Sequence, residues 1–274
     1  MKRIGVFVVL FSCSVLAAWA QSPKTTIQAG ANSLVLYDDF NGRRLDFTRW
    51  FEWEQDGLML ETVRELSPPY QGERNNRRLR MSQQAYSWTG NDEGAQYGWV
   101  GLNLKENRAA SVVEISFDIT VSSAKISDCQ SNPSISSLAW AGFVGNFFNY
   151  GGQPGQDVGA NIQLALDDTN PHGPLRVEAL YGTDIASGYQ IIGSLPLGKT
   201  AKLRVKWDQP NHQFIYQLNK NPEVMMPYNL PDGFPAGYPF KAFWVARGTP
   251  NCTATPTGRA MMEAYFDNVY VNAQ

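Results

Sequence analysis

Along most of this chain apolar and polar side chains alternate with a period of two. In "SVVEISFDITV" (111–121), Ile115, Phe117 and Ile119 fall on one side and Glu114, Ser116 and Asp118 on the other. "LAWAGFVGNFF" (138–148), "GANIQLALD" (159–167), "AKLRVKW" (201–207) and "FKAFWVAR" (240–247) read the same way, and about a dozen such segments fill the sequence. That period belongs to strands with one face packed and the other wet. Clusters such as "NGRR", "TGNDEG", "NYGGQPGQD" and "DTNPHGP" punctuate them as turns. No long segment carries a helical period, and "DFTRWF" (46–51) reads as a single turn. The pattern predicts an all-β protein of two packed antiparallel sheets. The longest irregular stretches, 66–76, 145–158 and the Pro- and Gly-rich 221–239, are expected to be rim or functional loops.

The first residues change the picture of where this fold works. Lys2 and Arg3 precede a short apolar run that ends in Ala18-Trp19-Ala20, the layout of a cleaved export signal over residues 1–20. A lipoprotein reading at Leu10-Phe11-Ser12-Cys13 leaves the apolar "SVLAAWA" unexplained. Residues 21–274 are then expected to form one domain, secreted or periplasmic, and no later run approaches the ~20 apolar residues of a membrane helix. Lys2 and Arg3 leave with the signal, so the mature charge is about −4, which makes nucleic acid a poor partner. Cys13 leaves too, and the remaining pair, Cys129 and Cys252, is expected to be a disulfide in an exported chain. With two histidines and no CxxC spacing, a zinc site is not expected.

Three stretches carry a family resemblance. "LYDDFNGRRLDFTRW" (36–50) resembles the opening of concanavalin A-like lectin/glucanase jelly rolls. "AYFDNVYVN" (264–272) is similar to their closing strand, and "AKLRVKWDQPNHQFIYQL" to their strand–turn–strand. The resemblance implies a concanavalin A-like jelly roll over nearly the whole mature chain. Among such folds, family-16 glycoside hydrolases carry Glu-x-Asp-x-x-Glu on the strand after one that resembles "AWAGFVGNFF". Here that next strand offers Asn161, Gln163, Ala165 and Asp167, so the catalytic ladder is missing. "RELS" (64–67) resembles a jelly-roll lyase strand, but the partner motifs with His and Tyr-x-Lys are absent. The resemblance also implies a structural calcium ion where first and last strands meet, with Asp39 and Asp267 as its acidic ligands.

The residues themselves narrow the function. Glu114 and Asp118 are ~13 Å apart along one strand, too far for a glycosidase pair, and read as the wet side of that strand. His172 and His212 both sit in turns and read as solvated. Flat indole faces and amides suit sugars. The expected site is a groove lined by Trp140, Asn161, Gln163, Asp167 and Arg247, with alternation placing Trp140 beside Gly142, Val144 and Asn146, and Phe143 with Phe147 on the opposite side. Tyr86, Trp88, Tyr97 and Trp99 form a second choice at the rim. Trp207 and Trp244 are expected in the core, Trp50 and Trp53 under the N-terminal loop. The basic "ERNNRRLR" (73–80) reads as solvated, with an anionic polysaccharide as its functional alternative. The expectation is a non-catalytic protein that binds a polysaccharide or other glycan. The alternatives are a glycan-active hydrolase or lyase with a non-standard site, and a structural surface domain. Two acids within about 10 Å on the open face would point to the enzyme.

Overall fold

The computed structural model describes residues 33–55, 60–68, 76–149, 157–183, 185–230, 232 and 240–272, so the expected signal over 1–20 lies outside the described residues. Among the described residues fifteen strands are numbered in chain order. They are β1 (Leu34–Asp38), β2 (Trp50–Gln55), β3 (Leu60–Leu66), β4 (Leu79–Tyr86), β5 (Ala95–Leu104), β6 (Glu114–Ser127), β7 (Leu138–Asn149) and β8 (Val158–Asp167). After them come β9 (Leu175–Thr183), β10 (Ser187–Leu195), β11 (Thr200–Asp208), β12 (Gln213–Leu218), β13 (Val224–Pro227), β14 (Ala242–Pro250) and β15 (Arg259–Asn272). The helical pieces among the described residues are one turn at Glu106–Ala109 and a 3₁₀ turn at Gln209–Asn211.

The strands form two antiparallel sheets. One runs β13-β12-β11-β6-β15-β4-β3, with β1 also on β15; the other runs β10-β9-β8-β7-β14-β5-β2. β15 is long enough to serve two partners on one side, β4 along Arg259–Phe266 and β1 along Val269–Asn272. The first and last strands therefore meet, as the two terminal motifs imply. β2, β10 and the short β13 have no counterpart among the expected strands. Residues 50–51 open β2 instead of closing a turn, and β13 lies inside the stretch read as loop.

The period-two pattern does its work between the sheets. Phe117 of β6 and Phe266 of β15 meet Phe143 and Phe243 of the facing sheet, with Phe117 and Phe243 edge to face at 4.8 Å. Rings of that size each contribute about 1.5–3 kcal/mol on burial. Trp50 packs under the N-terminal loop, as expected, and also joins this core: it is fully buried, stacks on Phe40 and donates Nε1–H to Asp38 at 2.7 Å. One edge is pinned by Arg64 of β3, which reaches Glu52 and Glu54 of β2 at 2.8 and 3.3 Å and the Gly101 carbonyl at 3.1 Å. Cys129 and Cys252 are disulfide-bonded across a separation of 123 residues.

Candidate glycan-binding face

The outer face of the β10–β2 sheet is built from rungs of residues facing one another across strands. One rung reads Trp53, Gly101, Trp244, Gly142, Gln163, Glu178 from β2 to β9. The next reads Trp99, Ala246, Trp140, Ala165, Arg176 from β5 to β9. Large and small side chains alternate along both, and the reason is steric. A Cβ on Gly101 would stand 2.7 Å from the Trp244 ring, and one on Gly145, whose φ is +74°, 2.5 Å from it. With hydrogen at both positions the indole lies over the sheet instead of standing up. Trp99 stacks on it at 5.1 Å with 7° between planes, and Trp53 packs edge-on against both. Trp99 is nearly covered at 8 % exposure, whereas Trp53 keeps 40 % and Trp140 and Trp244 are half-buried.

Beyond Trp140 the face turns polar. Glu178, 4 % exposed, accepts from Gln163 Nε2 at 2.8 Å, Tyr189 Oη at 2.9 Å and Arg176 Nε at 3.1 Å. Arg176 also donates to Asp167 and, at 2.7 Å, to Thr169 Oγ1. Burial works against the Arg176 charge, yet Asp167 and Glu178 outweigh it and its pKa ends raised. Burial, reinforced by the Glu178 charge, pushes the Tyr189 phenol up to about 12.

Of the five expected groove residues, Trp140, Asn161, Gln163 and Asp167 share this outer face. Asn161 is turned to structural work there: its Oδ1 accepts the Gly145 N–H at 2.8 Å and braces the bulge in β7. Arg247 does not join them. It is fully buried and follows Phe243 and Val245 in unbroken alternation, which puts it on the face opposite Trp140. Trp244, expected in the core, is on the outer face, while Trp207 is in the core as expected. The bulge between Phe143 and Asn146 shifts the phase of β7, so Phe148 rather than Phe147 enters the core. Trp53, Glu178 and Arg176 complete the face; the alternation in β9 was readable, but β2 and β10 were not.

The structure brings two acids together on this face. Asp167 and Glu178 both bond Nη2 of Arg176, which holds their oxygens within about 5–6 Å, the span of a retaining glycosidase pair. Every oxygen of the pair that the structure shows bonded is an acceptor: Glu178 uses both, and Asp167 takes Thr169 and Arg176. Glu114 and Asp118 lie on the outer face of the other sheet, paired with Arg204 at 2.6 Å and Lys202 at 3.2 Å; Asp118 is partly exposed, whereas Glu114 is buried and not solvated as expected. The Arg78 and Arg80 side chains of the basic stretch are on that other sheet too, over the Tyr265 ring and against Glu65 and Glu263.

At the other end of the strands, Asp267 faces Asp118 across β15 and β6. Burial, opposed by the Asn268 N–H and aided by Asp118 and Asp39, raises its pKa to about 6. Asp39 Oδ1 is occupied by the Asn41 N–H at 3.1 Å. Among the described residues no three His, Cys, Asp or Glu side chains stand close enough to hold a metal ion.

Strand order and layering define a two-sheet antiparallel jelly-roll sandwich. No family model and no curated protein matches the chain. Solved structures similar to it include the catalytic domain of an endo-1,3-β-glucanase (laminarinase) from Thermotoga petrophila, at 10 % identity and a TM-score of 0.49, covering 89 % of this chain and 99 % of that one. A family 11 carbohydrate-binding module from Clostridium thermocellum is similar at 11 % identity and TM-score 0.36, covering 89 % and 98 %. A sialidase is similar at 12 % identity and TM-score 0.43; 88 % of this chain is covered, and it spans 18 % of the sialidase. Likenesses this distant concern the sandwich alone. No helix among the described residues is long and apolar enough to cross a membrane.

Proposed function

We propose that this chain binds a glycan, without cleaving it, on the outer face of the β10–β2 sheet. One observation supports the reading above the others: four indoles on adjacent strands β2, β5, β14 and β7 are laid over glycine and alanine neighbours and run directly into the Gln163–Glu178–Arg176–Asp167 hydrogen-bond array. From Trp53 to Glu178 the rung crosses five interstrand spacings, roughly 24 Å, room for several sugar units. Apolar faces of pyranose rings suit the indoles, and hydroxyls suit the carboxylate and amide array. Affinity electrophoresis of the wild type and of Trp53→Ala and Trp140→Ala tests this. Both side chains are partly exposed, so the folded state is expected to persist while binding weakens about tenfold for each. Retardation unchanged in both variants would remove the face from consideration.

The carboxylate pair on Arg176 favours a second reading, a glycoside hydrolase with Asp167 and Glu178 as its acids. It requires one of them to be released from its donors and protonated when substrate binds. Reducing-sugar release that disappears in both Glu178→Gln and Asp167→Asn would establish that reading in place of the first.

A further inference from the structure

We infer that the glycan is taken as an extended chain running obliquely over this face from Tyr97 of β5 to Tyr189 of β10, with those two rings as its outermost contacts. The inference rests on the glycan-binding reading above. It concerns the length of ligand the face takes and two residues that hold it.

The alternation that turns Trp99 and Gly101 outward on β5 turns Tyr97 outward too. The register then gives a third rung, Tyr97, Gly248, Leu138, Asp167, from β5 to β8. Tyr97 lies down by the same device as Trp244: a Cβ on Gly248 would stand 2.6 Å from its ring. It is 47 % exposed, more than the 40 % of Trp53. Burial raises its phenol pKa, so the group is a neutral hydroxyl at physiological pH. At the far edge, Tyr189 stands opposite Leu180, whose neighbour on β8 is Asn161, so it shares the same outer face. Tyr189 is 42 % exposed, and the bond from its hydroxyl to Glu178 at 2.9 Å fixes the ring beside the polar array. Rings left half in water on one face, each held in place by its neighbours, are the anchors a sugar chain needs. Tyr86, grouped with Tyr97 at the rim in the sequence reading, belongs instead to the other sheet, under Arg259.

The two tyrosines lie at the ends of one line. From Tyr97 on the third rung the path crosses Trp140 on the second, then Gln163 and Glu178 on the first, and reaches Tyr189 beyond them. Gly248, Ala246 and Ala165 lie beside it and keep its floor low. Trp53, edge-on against Trp99 and Trp244, borders the path on the β2 side. Five interstrand spacings across the sheet and six residues along the strands separate the two ends by roughly 30 Å. A disaccharide occupies only part of such a path, whereas an oligomer of several units reaches both rings.

The experiment titrates laminari-, cello-, xylo- and manno-oligosaccharides, from disaccharide to hexasaccharide, into the wild type and into Tyr97→Ala, Tyr97→Phe and Tyr189→Ala. Both rings are half exposed, so all three variants are expected to melt like the wild type. In at least one series, wild-type affinity is expected to climb with length through the hexasaccharide. Each alanine variant then weakens the hexasaccharide about fivefold to tenfold and leaves the shortest oligomer that binds unchanged. Tyr97→Phe keeps the ring and stays within about twofold of the wild type. A hexasaccharide affinity unchanged in either alanine variant, or a loss equal at every length, overturns the path and leaves the binding reading standing. Wild-type protein that binds no member of any series overturns the binding reading itself.

Discussion

Lys241 offers the sharpest test of the energetics of this fold. It is 1 % exposed, donates Nζ–H to the Phe147 carbonyl, and holds its ammonium position 4.2 Å from the Phe148 ring centroid. Burial lowers its pKa from 10.5 to about 7. Between those values the unfolded chain binds a proton that the folded chain refuses, so stability rises with pH from about 7 to 10.5 and the whole cost is present below 7. At 1.36 kcal/mol per unit, the full cost is roughly 3–5 kcal/mol. Lys241→Met keeps an unbranched chain of similar volume and removes that cost, while leaving the Phe147 carbonyl without its donor, a loss of about 1–3 kcal/mol. The variant is thus expected to be about 1–3 kcal/mol more stable than wild type at pH 7 and less stable than wild type at pH 10.5. Urea unfolding of both proteins at half-unit steps across that range gives the difference directly. A difference that stays constant within about 1 kcal/mol from pH 7 to 10.5 would refute the assignment of a neutral buried amine.

Two further outcomes follow from charge and connectivity. The raised Asp267 pKa means that the folded state holds a proton between about 4 and 6 that the unfolded state has released, so stability falls as pH rises through that window. Asp267→Asn is expected to stabilise by about 1–3 kcal/mol at pH 7.5 and to be neutral below pH 4, read by thermal melts. Repeating the melts in 5 mM calcium adds a check, because loss of a calcium ligand would make the same variant the less stable protein there. Replacing Cys129 and Cys252 together by Ala releases a loop of 123 residues, for which the chain-entropy model gives a loss of about 4–5 kcal/mol in urea unfolding.

Where the period-two pattern ran unbroken, sequence and structure agree residue by residue. β6, β8, β11 and β12 keep their expected faces, and the meeting of β1 with β15 follows from the two terminal motifs. The elements that escaped reading lack that contrast. β10, "SGYQIIGSL", is an edge strand with no charge and a register shift at Ile191, so neither face is marked. β2, "WFEWEQ", puts aromatics at positions 50, 51 and 53, because Trp50 faces the core and Phe51 and Trp53 face the indole array. When both faces of a strand are apolar the period disappears from the sequence.

The same loss of contrast explains the misplaced groove residues. Trp244 and Arg247 are neighbours in "FWVAR", and hydrophobicity alone assigns the indole to the core and the guanidinium to solvent. The register does the reverse, since Phe243 and Val245 fix the inward parity and carry Arg247 with them. What makes Trp244 tolerable outside is supplied from other strands: Gly101 on β5 and Gly145 on β7, each of which leaves the space that a Cβ would fill. Those glycines are 143 and 99 residues away along the chain and carry no local signal beyond flexibility. The pairing of Asp167 with Glu178 is similar, because it exists through Arg176, placed between them by the β8–β9 register. An outer face made by side chains that accommodate one another across strands becomes legible when the register is known.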